Sequence, residues 1–277
     1  MTRLACVQLL IQLGDVESNV TKMLAYIDKA SMLGADIVCF PELSTCGYVR
    51  DPSAYAEDLE GRVVSAIRAT ARKRRIYVVF GLPDLYGDKV YNSALLLDRQ
   101  GDILGRYSKM HLALDTRGGT IYAEADIFAP GRDCPVITTD FGQVGMMICK
   151  DGMFPEVPRI YTLQGCEVLF WLNSRPEMNP CHLETNANIN RMILVASNIA
   201  GGPASDGGGS AIVHFEDFVF PDSKPDSFRH RGTFLVRAGK GETILCADVD
   251  MDYARQRRQA WREKWLTRRP EIYSPLT

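Results

Sequence analysis

The chain has 277 residues, of which 46% are hydrophobic, and its formal net charge at pH 7 is −2. This length and apolar content suffice for one large core or two small ones, and they exclude a disordered tail. A charge so close to zero argues against a dedicated nucleic-acid-binding protein, which would carry a strong basic excess.

The eight cysteines form no CxxC pair and mostly lie in apolar, strand-like runs. We therefore expect neither a disulfide framework nor a zinc site. The sequence shows no charged-then-apolar leader and no uninterrupted apolar run of about 18 residues. These features favour a soluble cytoplasmic protein with no membrane and no nucleic-acid partner.

The first part of the chain alternates between apolar, strand-like runs and amphipathic helices. A strand is predicted at 4–11, and a helix with Asn19 as its N-cap follows. Strands at 35–40 and 76–82 flank a second helix that covers 63–71. The pattern predicts a βαβαβ unit.

Two hairpins follow this unit. The segments 92–97 and 103–107 flank one Gly-containing turn, and 136–139 and 144–149 flank another. Antiparallel hairpins in an otherwise alternating chain favour a mixed sheet over a closed parallel barrel.

The alternation continues to the C-terminus. Further elements are predicted as a helix at 156–164, a strand at 168–172, a helix at 183–191, and strands at 193–197, 211–215 and 243–249. The Gly-rich stretch 201–209 lacks the lysine and spacing of a phosphate-binding loop, so we expect a flexible connection near the surface. A polar helix and a proline-containing tail end the chain, and no linker divides 1–277 into two domains.

Cys149 ends an apolar run and precedes a string typical of a tight turn and a helix start. A thiol there lies beside backbone N–H groups and a positive helix end, surroundings that lower a thiol pKa and favour the nucleophilic thiolate. A free cysteine is also among the most buried residue types, so its position alone fits a core residue equally well.

Two further segments end in polar residues that could assist a nucleophile. Glu42 follows an apolar strand and Pro41, and a partly desolvated carboxylate at a strand end suits a general base. An ordinary loop glutamate would fit the same pattern. Lys109 closes the first hairpin, where its ammonium could stabilise an oxyanion or simply be solvated.

Together the three segments resemble the nitrilase, or carbon–nitrogen hydrolase, superfamily, whose members use a Glu–Lys–Cys triad in that chain order. Residues 41–43 are similar to the family's Glu segment, 109–112 to its Lys segment and 148–156 to its Cys elbow. The resemblance covers nearly the whole chain. Other similar pieces lie at 14–19, 128–131, 209–210, 247–250 and 268–273.

The resemblance implies a four-layer α-β-β-α sandwich of two mixed sheets in a single carbon–nitrogen hydrolase domain. It also implies that neither a metal nor an organic cofactor is needed. Family members form homodimers or larger homo-oligomers. The segment 252–277 is too polar to pack a core of its own, so we expect it to dock on a neighbouring subunit.

The resemblance also assigns roles to individual residues. Glu42 is expected to act as the general base and Cys149 as the nucleophile that forms a thioester. Lys109, with the backbone N–H of Lys150, is expected to hold the oxyanion. Glu124 is similar to the family's auxiliary second glutamate, which orients the lysine and helps to position substrate.

Four residues are candidates for the substrate-binding wall: Tyr48, Lys150, Asn173 and Arg175. Arg175 could bind a substrate carboxylate bidentately or pair with a protein glutamate, and the sequence leaves both open. His111 could form a Cys–His dyad, but we favour a structural hydrogen bond near a subunit contact.

Three classes of function remain open. The leading one is hydrolysis of a small-molecule amide or N-carbamoyl compound, because Lys150 stands where true nitrilases commonly carry tryptophan. A nitrilase or an acyl-transferring relative would use the same thioester. A non-catalytic binding or scaffold member is the third class, and the complete set of Glu42, Lys109 and Cys149 argues against it.

Overall fold

The structure, a computed structural model, describes residues 1–115, 122–202, 206–215 and 234–273. Two six-stranded mixed sheets pack face to face, and the helices cover their outer faces. The predicted four-layer α-β-β-α sandwich is therefore confirmed. A third, two-stranded sheet pairs β6 (Leu114–Asp115) with β7 (Tyr122–Ala123).

The first sheet has the strand order β14-β1-β2-β3-β4-β5. Its strands are β1 (Thr2–Gln8), β2 (Ile37–Cys39), β3 (Tyr77–Tyr86), β4 (Lys89–Leu97), β5 (Ile103–Ser108) and β14 (Thr243–Val249). The strands β1, β2 and β3 are parallel, whereas β14, β4 and β5 are antiparallel to their neighbours.

Side-chain alternation divides this sheet between two cores. In β1, Leu4 and Cys6 join the core between the sheets, whereas Ala5 and Val7 join the core under the helices. Successive strand residues point to opposite faces, so a strand buried on both sides is apolar throughout. The helices above the outer core are α1 (Val16–Met32) and α2 (Arg62–Arg74).

The second sheet has the strand order β13-β12-β11-β10-β9-β8. Its strands are β8 (Ile137–Thr138), β9 (Gln143–Ile148), β10 (Val168–Leu172), β11 (Ile193–Ser197), β12 (Ala211–Val213) and β13 (Phe234–Arg237). The helices α3 (Glu156–Leu163) and α4 (Pro180–Asn190) pack on its outer face through residues such as Tyr161 and Leu183.

The two predicted hairpins are confirmed, because β4 pairs with β5 and β8 with β9, both antiparallel. The predicted N-cap of α1 is wrong. Asp15 caps the helix by accepting from the Ser18 backbone N–H at 3.0 Å. Asn19 is instead buried inside the helix, where its side chain bonds to the backbone of Gln12 and Thr45.

The Gly-rich stretch also differs from its prediction. Residues 203–205 lie outside the described part of the chain, but 207–209 are buried. The Gly208 N–H donates to the Ile199 carbonyl at 2.9 Å, and the Gly209 N–H donates to the Gly239 carbonyl at 3.1 Å. An added Cβ at any of these glycines would meet neighbouring backbone, because they pack in the interior. They therefore do not form a surface connection.

The last helix, α5 (Met251–Leu266), begins by packing on its own subunit. Arg255 pairs with Glu167 at 2.7 Å, and the Arg258 guanidinium donates to the Thr162 carbonyl at 2.8 Å, near the end of α3. No helix in the described residues is both long and apolar enough to cross a membrane.

Candidate active site

The three predicted catalytic residues converge because each follows the end of a strand. Glu42 lies three residues beyond β2, Lys109 directly follows β5, and Cys149 directly follows β9. The first two belong to one sheet and the third to the other, so the site lies where the two sheets meet.

Glu42 lies in a loop that passes very close to the first sheet. Leu43, which follows it, adopts a left-handed φ of 46°. Gly81 on β3 makes room, since a Cβ there would lie 2.7 Å from the Leu43 nitrogen and 2.9 Å from Glu42 Cα. The Glu42 N–H donates to the Asn173 carbonyl at 3.4 Å, which connects this loop to the second sheet.

Cys149 lies at a strained elbow, where it directly follows β9 and begins a short 3₁₀ turn, Cys149–Met153. Its φ is 43°, a left-handed conformation that costs about 1–3 kcal/mol for a residue with a Cβ. Its carbonyl accepts from Trp171 Nε1 at 2.9 Å and from Arg175 Nη2 at 2.5 Å. These bonds hold the elbow in the strained conformation.

Asp151 connects the elbow to the segment that carries Lys109. Its fully buried carboxylate accepts from the Ile148 N–H at 3.2 Å, the Tyr107 hydroxyl at 2.6 Å and the His111 N–H at 2.8 Å. His111 also places Nδ1 2.9 Å from this carboxylate, and its ring stacks on Phe154. The structure thus engages His111 with Asp151 and gives it a structural hydrogen bond.

Lys109 is fully buried between two carboxylates. Its Nζ lies 2.7 Å from Glu42 Oε1 and 2.9 Å from Glu124 Oε1. Burial alone would lower the pKa of Lys109, but the negative charges around it, chiefly that of Glu42 with a contribution from Glu124, outweigh burial and raise that pKa above its ordinary value. Lys109 therefore remains a fixed cation inside the protein.

The two glutamates differ in how many of their oxygens are occupied. Glu124 accepts at both oxygens, since Oε1 faces Lys109 and Oε2 receives the backbone N–H of Ala113. Glu42 accepts only at Oε1, and its buried Oε2 has no hydrogen-bond partner among the described residues. Of the two glutamates, only Glu42 thus has a carboxylate oxygen that accepts no hydrogen bond from the described residues and can therefore accept a proton.

Tyr48 and Asn92 supply neutral donors to the same carboxylates. The Tyr48 hydroxyl lies 2.6 Å from Glu42 Oε1 and also contacts Glu124 Oε1. Asn92 Nδ2 lies 2.9 Å from Glu42 Oε1. Burial, with the two carboxylates, holds the pKa of the Tyr48 phenol well above its ordinary value, so Tyr48 stays protonated. The sequence analysis did not identify Asn92 as a site residue. It placed Asn92 only as the first residue of a predicted strand.

The Cys149 thiol differs from its expected state. Burial raises the pKa of Cys149 to about 11, the charge of Glu42 adds to this effect, and Lys109 and Arg175 oppose it. The expectation of a lowered thiol pKa is therefore wrong, because the desolvation of the sulfur outweighs the turn and the cations. At neutral pH this thiol needs a base to become a nucleophile.

A cavity of about 690 Å³ opens above this cluster. Its apolar wall is formed by Leu10, Ile11, Leu13, Val49, Leu114, Pro176, Ile199 and Ala200. Its polar lining comes from Tyr48, Arg50, Cys149, Ser174, Arg175 and Asp206. A pocket of this size and composition fits a small molecule held by a few polar groups.

The predicted binding residues separate into two pairs. Tyr48 and Arg175 line the cavity, whereas Lys150 and Asn173 are not among its lining residues. The Lys150 ammonium donates to the Leu112 carbonyl at 3.0 Å, and Asn173 is fully buried, with its amide donating to the Trp171 carbonyl.

Arg175 faces both the nucleophile and the cavity. Its guanidinium lies over the Trp171 ring, 5.0 Å from the centroid, and donates to the Cys149 carbonyl. Its Nε is buried and has no hydrogen-bond partner among the described residues. This arginine could therefore still pair with a substrate oxygen. Arg50, also in the lining, is a second cation that the sequence did not point to.

Solved structures with the same fold include amidases. The NitN amidase from Nesterenkonia sp. AN1 superposes with a TM-score of 0.76 at 26% identity, over 96% of this chain and 100% of the amidase. A mutant of that amidase shows the product of Michael addition of acrylamide at its active-site cysteine, with a TM-score of 0.76 and 25% identity over 96% of this chain and 100% of the mutant.

Relatives in sequence include the human omega-amidase NIT2, which is 28% identical over 93% of this chain and 91% of the relative. A probable nitrilase of Schizosaccharomyces pombe is 30% identical over 99% of this chain and 97% of its own. The sequence profile described as carbon–nitrogen hydrolase matches residues 3–223, most of the chain. The chain therefore belongs to the carbon–nitrogen hydrolase family, and it is an amide-hydrolysing enzyme that uses a cysteine.

Proposed function

We propose that this enzyme hydrolyses the terminal amide or N-carbamoyl group of a small molecule that also carries a carboxylate. The observation that carries the proposal is the position of Arg175, a cation that lines the cavity and contacts the Cys149 carbonyl. The omega-amidase relatives favour an amide as the scissile group.

The proposed reaction begins with proton transfer from the Cys149 thiol to Glu42. The thiolate attacks the substrate carbonyl carbon, and the Lys109 ammonium with the Lys150 backbone N–H stabilises the oxyanion. Protonated Glu42 gives its proton to the departing nitrogen, which leaves as ammonia from an amide or as the amine from an N-carbamoyl compound, and a thioester remains. Glu42 then takes a proton from water, and the resulting hydroxide attacks the thioester. The Cys149 thiolate leaves and takes that proton back from Glu42.

The open Oε2 of Glu42 supports its assignment as the base. A general base needs a lone pair that is free to accept a proton, and both oxygens of Glu124 already accept hydrogen bonds. We therefore assign Glu124 to hold the ammonium of Lys109, which it contacts at 2.9 Å.

The charge of the cavity supports a substrate with a carboxylate. Two arginines and one aspartate, Arg50, Arg175 and Asp206, are the charged residues among its lining, so the cation count exceeds the anion count. An Arg–carboxylate bond at a partly desolvated site is among the stronger hydrogen bonds in proteins. It would fix the far end of a short substrate and so place the amide carbon against Cys149.

Matched substrates test this proposal. We expect succinamate and N-carbamoyl-β-alanine to exceed their methyl esters by about 10- to 100-fold in kcat/KM, the equivalent of one charged hydrogen bond. Ammonia release measures each rate, and 3-cyanopropanoate tests the nitrile. Arg50→Met removes one of the two cations in the lining, so it is expected to reduce the preference for the free acid and to leave the ester rates unchanged.

Arg175→Met serves as the second variant. It should also slow the esters, because Arg175 supports the Cys149 carbonyl as well as the cavity. Equal kcat/KM for acid and ester in the wild-type enzyme would contradict the carboxylate proposal.

We further propose that the enzyme is a cytoplasmic homodimer or larger homo-oligomer in which the segment from about residue 252 contributes to a subunit contact. The eight free cysteines fit a reducing compartment. The first turns of α5 pack on their own subunit, so the contact with the neighbour would involve the later part of this segment. Light scattering after size exclusion should give at least twice the 30.9 kDa of the chain. A monomer across micromolar concentrations would contradict this proposal.

A further inference from the structure

Asn92 is a buried polar residue in the active site to which the proposed mechanism gives no role. It lies on β4, is fully buried and directs its amide N–H groups at the same carboxylate oxygens that Lys109 contacts. Asn92 Nδ2 lies 2.9 Å from Glu42 Oε1 and 3.3 Å from Glu124 Oε1. Its backbone carbonyl accepts from the Lys109 N–H at 2.9 Å. One residue thus contacts both carboxylates and the backbone of Lys109 beneath the cavity.

The other end of the Asn92 amide shows that packing alone does not explain this residue. Its Oδ1 is buried without a hydrogen-bond partner among the described residues. An unpaired buried carbonyl destabilises the folded state, and an apolar side chain would avoid this penalty. What Asn92 contributes therefore lies in its N–H bonds to the carboxylates.

We propose that Asn92 is a positioning residue that fixes the Glu42 carboxylate so that Oε2 is the oxygen that accepts the Cys149 proton. With Oε1 held by Asn92, Lys109 and Tyr48, the carboxylate cannot rotate without breaking several hydrogen bonds. The partnerless Oε2 is then kept in one place. This inference rests on the proposed role of Glu42 as the base.

The charges around the Asn92 amide determine which substitution is informative. The ionisable groups at this end of the site are Glu42, Glu124, Lys109, Tyr48 and Cys149. Next to Asn92 in β4, the Ser93 hydroxyl donates to Asp84, which pairs with Arg106 and belongs to a separate cluster. An aspartate at position 92 would keep the size of the side chain but place a third carboxylate against two that share one ammonium.

Two substitutions, Asn92→Ala and Asn92→Asp, test the proposal. The rate at which iodoacetamide alkylates Cys149 at pH 7 reports loss of the thiol proton without requiring hydrolysis of an amide bond. We expect that rate, and kcat for the best amide, to fall by about 10²-fold, the size of effect seen when an active site loses one positioned hydrogen-bond donor. KM should change by less than about twofold, because Asn92 does not line the cavity. In Asn92→Asp, the acid limbs of the pH profiles of the alkylation rate and of kcat should also move to higher pH, since buried like charges favour protonation.

Ser93→Ala is the matched control. Ser93 is the next residue, is equally buried and loses a hydrogen bond to Asp84 when substituted. It should lower thermal stability and leave the alkylation rate unchanged. If both Asn92 variants lower stability but keep the wild-type alkylation rate and pH profile, Asn92 is structural only and the inference is overturned. Slowed alkylation in an enzyme that releases no ammonia from any amide would instead overturn the proposed function and keep this inference.

Discussion

Cys149→Ala is expected to lower kcat for amide hydrolysis by about 10⁴-fold or more, because the variant lacks the thiol that forms the acyl intermediate. The cavity and the Lys109 ammonium remain in this variant, so the substrate should still bind. Ammonia release gives the rate, and intact-mass analysis of wild-type enzyme quenched during turnover should show an acyl adduct on Cys149.

A second cysteine serves as the control for this variant. Cys181 is exposed at the start of α4 and does not line the cavity, so Cys181→Ser should keep the wild-type rate. Adduct formation at Cys181, or ammonia release by Cys149→Ala within about tenfold of wild type, would contradict a thioester at Cys149. Loss of activity in both variants would point to a general effect on folding.

The raised thiol pKa makes this nucleophile depend on its base. With a pKa of about 11, Cys149 is almost entirely a neutral thiol at pH 7. Sequence reasoning expected the opposite, since it weighed the turn and the helix end but had no measure of burial. Desolvation is a property of the assembled site and depends on residues distant in sequence. The chain order alone could therefore indicate a candidate nucleophile, Cys149, without giving its protonation state.

The positions of the triad could be predicted because strand ends are visible in sequence. Each of Glu42, Lys109 and Cys149 follows a strand-like run, and in the structure the ends of these strands meet where the two sheets face each other. Their order along the chain matched a known family, and this agreement supplied the partners that spacing alone leaves open.

The supporting residues could not be found in this way. Asn92 reaches the site through the pairing of β4 with β3 and β5, and a one-residue change in that register would turn its side chain to the other face. Lys150 and Asn173, in contrast, were expected to line the cavity and do not. Both lie next to catalytic segments, yet the structure directs Lys150 to the Leu112 carbonyl and buries Asn173 away from the cavity lining.

Loss of the Lys109 ammonium should damage both stability and catalysis. In Lys109→Met the carboxylates of Glu42 and Glu124 stay buried but lose the cation that lies within 3 Å of each. Removing one partner of a buried ion pair costs about 3–5 kcal/mol. We expect the free energy of unfolding to fall by that amount in urea titrations, and ammonia release to become undetectable because the oxyanion has lost its charged donor.

A double variant separates these two effects. Adding Glu124→Gln to Lys109→Met removes one uncompensated charge, so part of the lost stability should return. Activity should stay absent, because the double variant still lacks the Lys109 ammonium. Lys150→Met is the matched control, since its Nζ makes one hydrogen bond to a backbone carbonyl, and its stability should change by no more than about 1 kcal/mol. If Lys109→Met unfolds at the wild-type urea concentration, the two carboxylates are not both charged in the folded enzyme. A double variant that regains activity would show that Lys109 serves the stability of the site and not the oxyanion.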